Sequence, residues 1–128
     1  MNRIFYVFLG GGAGSVARYL TTIAAQRVLG PGFPFGTLIV NLVGCFLIGA
    51  VHGAALQAAR ISPDTRLFLT TGVIGGLTTY STFNYETLTL FEQGATARAS
   101  IYAATTILGC AGAGVLGTWT TRLWVNSV

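Results

Sequence analysis

From Leu77 to Thr87 only Leu77 and Phe83 of eleven residues are fully apolar. The others are Thr78, Thr79, Tyr80, Ser81, Thr82, Asn84, Tyr85, Glu86 and Thr87, in a chain that is otherwise oily. Gly72, Gly75 and Gly76 stand just before them, and glycine weakens a helix interior. Two further polar stripes recur at four-residue spacing, which puts each on one helix face. They are Thr37, Asn41 and Cys45, and Tyr102, Thr106 and Cys110. Together these groups are neutral hydrogen-bond donors: an amide at Asn41, hydroxyls from Thr and Ser, and the rims of Tyr80 and Phe83, which are positive. Such a set suits a small, hard anion that must shed water without being trapped by a full positive charge.

Other chemistries lack their parts. There is no nucleophile–base pair of the kind an enzyme needs. Cys45 and Cys110 form no CxxC motif and read as neutral buried thiols. His52 has no second ligand near it and reads as an interfacial histidine with its hydrogen bonds met. Gly12–Ala17 matches a dinucleotide fingerprint, but no acid precedes Asp64 to hold a ribose.

The elements that position these residues follow from composition. Seven arginines and three acids among 128 residues make 8% charged, against roughly 25% in a soluble domain. With 52% hydrophobic residues and a mean hydropathy of +0.68, the surrounding medium must be largely lipid. A soluble enzyme, a nucleic-acid binder and a disordered tail are excluded; the scattered arginines form no basic patch. A crossing helix takes about 20 apolar residues, so one domain over residues 1–128 has room for four. Turn signals place them at about Ile4–Gln26, Gly36–Ala59, Arg66–Glu92 and Thr96–Trp124. Gly30, Pro31, Gly32 and Pro34 stop the first. Ser62, Pro63 and Asp64 read as N-cap, first helical residue and first-turn acid of the third. Trp119 and Trp124 fit an interfacial belt.

Four crossings put both termini on one side with Arg3, Arg60, Arg66 and Arg122, against Arg27 and Arg98 opposite. That bias fits termini in the cytoplasm, and it is weak enough to fit insertion both ways with antiparallel pairing. Gly10 and Gly14, Gly49 and Gly53, and Gly72 and Gly76 have the spacing of close helix crossings. The polar run in the third helix is either a Ser/Thr packing seam or a break near Gly75–Thr79, whose freed carbonyls could coordinate a cation. Asn41 alone reads equally as glue between helices. Arg18 either snorkels or sets a positive potential in an anion vestibule. Glu86 is the one acid inside a crossing segment and lies toward its end.

The residues with specific spacing are Gly10, Gly11, Gly14 and Arg18; Gly36, Thr37, Leu38 and Asn41; and the string Gly75–Phe83 with Glu86. Over essentially the whole chain this pattern resembles the small bacterial fluoride channels of the Fluc (CrcB) family. The resemblance implies an all-α integral membrane protein with four transmembrane helices per subunit, the third interrupted. It implies an antiparallel, dual-topology homodimer in the inner membrane. Two pores along the subunit interface would export fluoride passively and lower its cytoplasmic level. A structural sodium ion would be held by the backbone carbonyls of Gly75 and Thr78. The pore positions it implies are Asn41, Tyr80 and Phe83, with Thr37, Ser81 and Thr82 as a polar track, and Tyr102, Thr106 and Cys110 on the fourth helix. Arg18 and Glu86 fall to a vestibule or interface. Family members usually have Phe where Tyr80 stands and often Ser where Cys110 stands. A four-span multidrug exporter is the main competitor, but it needs an acid in the first helix, which here carries Arg18 instead. A structural subunit without transport is the other.

Overall fold

The computed structural model describes residues 2–56 and 61–126, and these form helices and turns without strands. The helices are α1 (Arg3–Leu29), α2 (Phe35–Leu56), α3 (Pro63–Leu67), a π-helical segment (Phe68–Ile74), α4 (Gly75–Leu77), α5 (Tyr80–Glu92) and α6 (Thr96–Asn126). Because α3, the π segment, α4 and α5 follow one another as a broken rod, the bundle has four rods. The expected end of the second helix at Ala59, and Arg60 beyond it, lie outside the described residues.

Local chemistry sets most of the ends. The Asn2 side chain accepts from the Ile4 N–H to open α1, and Gly30 closes it at φ 83°, a conformation that favours glycine. Ser62 caps α3 through the Thr65 N–H, with Pro63 and Asp64 in its first turn, as the sequence predicts. Arg3 then pairs with Asp64 at 3.2 Å, tying the start of α1 to the start of α3. Gly94, at φ 74°, turns the chain from α5 into α6.

Two helix pairs carry the packing, and both run parallel. In one, α2 lies along α6; in the other, α1 lies along the π segment and α4. Glycine makes each approach possible. A Cβ on Gly49 would strike the Gly114 carbonyl, and one on Gly117 would strike the Phe46 carbonyl. On the other pair, Gly14 meets the Val73 carbonyl and Gly76 meets that of Gly11. Thr118 adds a hydroxyl bond across the first pair, donating to Gly49 O at 3.1 Å. One end of the bundle holds a core of Leu38, Phe83, Leu90, Ala99 and Tyr102.

By length and composition two helices, Phe35–Ala55 and Thr96–Trp124, are apolar enough to cross a membrane. The other two rods fall short of that measure for evident reasons. α1 carries Arg3, Arg18 and Arg27, and the third rod is divided into short polar pieces. Large apolar side chains such as Phe8, Leu20, Ile107 and Leu108 face outward. An apolar exterior of that extent needs lipid or another protein surface against it.

The Gly117 crossing gives a direct test. Gly117→Ala should destabilise the protein by about 1–3 kcal/mol through overpacking. Gly112→Ala, where an added Cβ meets nothing within 4 Å, should cost nothing. Thermal unfolding of the two variants in detergent, followed by circular dichroism, checks the difference.

Candidate functional site

The third rod breaks at Thr78 and Thr79, both extended, with φ/ψ of −85°/155° and −154°/119°. Asn41 on α2 holds them there. Its Oδ1 accepts the Thr79 N–H at 2.8 Å, and its Nδ2 donates to Thr79 O at 3.1 Å. The side-chain amide thus pairs with one residue's backbone as a neighbouring strand would. Asn41 is only 7% exposed, so water does not compete for these bonds.

The Thr79 hydroxyl then starts the next helix, capping α5 by accepting the Thr82 N–H at 3.3 Å. It also donates to the Thr82 hydroxyl at 3.1 Å and lies 3.2 Å from that of Ser81. These diversions act on two carbonyls. In an unbroken helix the Thr79 N–H would bond Gly75 O and the Thr82 N–H would bond Thr78 O. Both donors are turned elsewhere. Ile74 O, by contrast, accepts from both the N–H and the hydroxyl of Thr78, each at 3.0 Å.

Between α2 and α6 the two polar stripes face each other in rungs. At the first, Thr37 donates to Glu86 Oε1 at 2.9 Å and Tyr102 donates to Oε2 at 2.7 Å. Tyr102 is completely buried, with the Phe83 ring 5.2 Å away and the Phe33 ring edge-on at 5.4 Å. At the second rung stand Asn41 and Thr106. The Thr106 hydroxyl is buried and has no hydrogen-bond partner among the described residues. At the third stand Cys45 and Cys110, two free cysteines that line one pocket.

A pocket of about 500 Å³, open on one side, runs along the second and third rungs and the break. It gathers Asn41, Tyr80, Phe83, Thr106 and Cys110 of the sequence-predicted pore set, together with Gly75 and Thr78. Among the described residues no carboxylate lines it. Tyr80, 77% exposed, stacks at a tilt on Phe83 with centroids 5.5 Å apart. Thr37 and Glu86 line a separate pocket of about 260 Å³ near Arg98, whose guanidinium donates to Gly32 O. Tyr102 lines neither pocket, and Ser81 and Thr82 gather around Thr79 rather than on either wall. Arg18 is half-buried on α1 and lines neither pocket. Among the described residues there is no group of three or more His, Cys, Asp or Glu able to hold a metal.

Thr79 is the residue that sequence reasoning passed over. Its signal was available: a threonine behind a Gly-Gly pair and ahead of a fresh helical stretch is a capping pattern. The third-rung pairing of Cys45 with Cys110 was legible only as two parallel stripes.

Comparison with known proteins bears on the whole chain. A family model described as CrcB-like protein, Camphor Resistance (CrcB), matches residues 5–118. A relative from Anaeromyxobacter dehalogenans is 52% identical over 122 residues, covering 95% of this chain and 97% of its own length, and is named fluoride-specific ion channel FluC. Relatives bearing that same name occur in Sorangium cellulosum, 47% identical over 91% of this chain and 92% of theirs, and in Chlorobaculum tepidum, 46% identical over 97% and 98%.

The Asn41 clamp predicts a stability effect apart from any transport. Asn41→Ala leaves the Thr79 N–H and carbonyl without their partner, at about 1–3 kcal/mol for each orphaned group. Asn41→Asp keeps the acceptor but sets an oxygen against Thr79 O, so it should rescue only part of the loss. Thermal unfolding midpoints, with hydrogen exchange at the Thr79 amide, should rank the wild type above Asp and Asp above Ala.

Proposed function

The chain belongs to the CrcB-like protein family, and from that membership we propose that it is a fluoride-specific ion channel that exports fluoride passively and lowers its level in the cytoplasm. The observation that carries this is the 52% identity, over 95% of the chain, to a relative named for that activity. Such relatives are named as channels, not enzymes.

The pocket's chemistry supports the reading. Fluoride gives up strong hydration on entering an apolar site, so donors must meet it. Thr106 offers a buried hydroxyl with no partner among the described residues. A primary amide has two N–H groups, and Asn41 commits one to Thr79 O, leaving the other for an anion. Phe83 and Tyr80 add positive ring edges, and α5 begins at the break with the positive end of its dipole. None of these groups bears a full charge, so the ion can leave as well as enter. Glu86 accepts hydroxyls at both oxygens, which makes it the joint fixing Thr37 and Tyr102 rather than a free charge.

One subunit gives only one wall of such a path. We assign the open side of the pocket and the outward apolar faces to a second, antiparallel copy, with two pores along the interface and lipid around the whole. The setting would be the bacterial inner membrane, crossed several times by each chain.

A sodium ion fits the break chemically. Gly75 O and Thr78 O have both lost their helical donors, and carbonyl oxygens are hard ligands suited to an alkali ion. Bound there, sodium would supply the positive charge that those dipoles lack. Two carbonyls from one chain are too few for a complete shell, which accords with a site shared between copies.

Purified protein in proteoliposomes should release fluoride far faster than chloride down equal gradients; equal rates would sink the proposal. Replacing sodium by a large organic cation over long incubation should lower dimer stability, because an ion that binds only the assembly favours it by mass action. Unchanged stability and unchanged flux would remove the ion from the proposal and leave the channel standing.

A further inference from the structure

Next to the Asn41 and Thr106 rung stand two thiols, one of which, Cys110, is among the pore positions that the family resemblance implies. Cys45 and Cys110 are both free cysteines, one on α2 and one on α6, and a Cβ added to Gly114, one turn past Cys110, would lie 3.6 Å from the Cys45 carbonyl. Their spacing is held by the helices themselves. One turn further along both chains come Gly49 and Gly114, where the backbones touch, and Thr118 pins the crossing through Gly49 O. Both cysteines line the 500 Å³ pocket, and both also line an adjoining groove of about 600 Å³ that contains His52 and Arg122. An ion can therefore reach the pair from two open spaces.

We propose that Cys45 and Cys110 form a two-thiolate site for a soft, two-coordinate divalent cation, and that filling it stops anion flux through the pocket. Three physical arguments select this ligand class. Sulfur ligands choose soft cations, and among the described residues no carboxylate lines either space to favour a hard one. Two thiolates with one divalent cation make a neutral unit, whereas a surplus charge is costly among Ile48, Ile107 and the other apolar lining residues. Linear coordination needs only the two ligands present. Binding releases one proton from each thiol to water, forms two metal–sulfur bonds and changes no oxidation state. The cation then sits beside Thr106 and Asn41, where its bulk narrows the path. The flux consequence rests on the pocket being the anion path; the metal site itself does not.

The test uses the full-length wild type and the variants Cys45→Ser and Cys110→Ser, with Hg2+ as the probe. Binding is read by the ultraviolet mercury–thiolate band and by counting the thiols that remain, and flux by fluoride efflux from vesicles. The expected result is one mercury per subunit with both thiols consumed. Efflux should drop to that of protein-free vesicles and return when a dithiol chelator is added. Each serine variant, compared with its own metal-free efflux, should lose the block. Two mercury ions per subunit, or single variants that bind and block as the wild type does, would overturn the shared site. Stoichiometric binding with undiminished efflux would overturn the blocking role and place the anion path elsewhere. A wild type without metal-free efflux would defeat the channel reading, while the absorbance band still decides the metal site.

Discussion

The bond pair between the Asn41 amide and the backbone of Thr79 is the constraint on which the rest of the site depends. Polar side chains alone do not break a helix, because Thr and Ser can return their hydroxyls to the carbonyl one turn back. Thr70, Thr87 and Thr89 do just that here. The third rod breaks because a second helix offers Thr79 a better partner, with a donor and an acceptor at the right spacing. That exchange frees Gly75 O and Thr78 O, aims the Thr79 hydroxyl at the Thr82 N–H, and so decides where α5 begins. From that start, Phe83 and Glu86 come one and two turns later on the face toward α6. The ring contact of Phe83 with Tyr102 and the Glu86 bond to the same residue follow from a helix restarted at the correct phase.

The other requirement is proximity. Polar rungs between α2 and α6 work only if the two helices stay in register over several turns. Glycine at 49, 53 and 117 lets the backbones come together, and the Thr118 hydroxyl ties them where they meet. The break and the crossing are thus separate devices acting on one set of side chains. The first orients the donors of α5, and the second fixes the spacing of the donors on α2 and α6.

Much of this was legible in the sequence, for identifiable reasons. Ser62 with Pro63 and Asp64 marked a helix start because capping is local chemistry. Four-residue spacing marked the stripes, since a straight helix preserves a face. The polar run behind Gly75 and Gly76 placed the break within a residue or two. What remained hidden depends on partners distant in sequence. A backbone acceptor has no side-chain signature, so nothing in the residue types paired Asn41 with Thr79 rather than with a facing helix. The π-helical turn from Phe68 to Ile74 was equally invisible, being a register choice closed by the bond from the Gly75 N–H to Thr70 O. Glu86 read only as an acid toward a helix end, which the family resemblance put in a vestibule or interface. Only the folded chain shows its two oxygens joining Thr37 to Tyr102.

Neutral donors and the broken helix answer the same electrostatic problem. A fixed positive charge in an apolar pocket would bind an anion tightly and release it slowly, while an undivided apolar wall would admit none. A broken helix offers an intermediate field. Its carbonyl end, at Gly75 and Thr78, is negative and calls for a cation; its amide end, at the start of α5, is positive and favours an anion. Both ends come from one interruption a few residues long, so opposite charges can be accommodated near each other with few side-chain charges. That explains how a chain with three acids can set up a strongly polar interior. Under the proposed function, the 500 Å³ pocket would need no ionisable carboxylate to favour one sign of charge. Its polarity is built from dipoles held by buried hydrogen bonds, and such a field needs no mobile side-chain charge to stay in place.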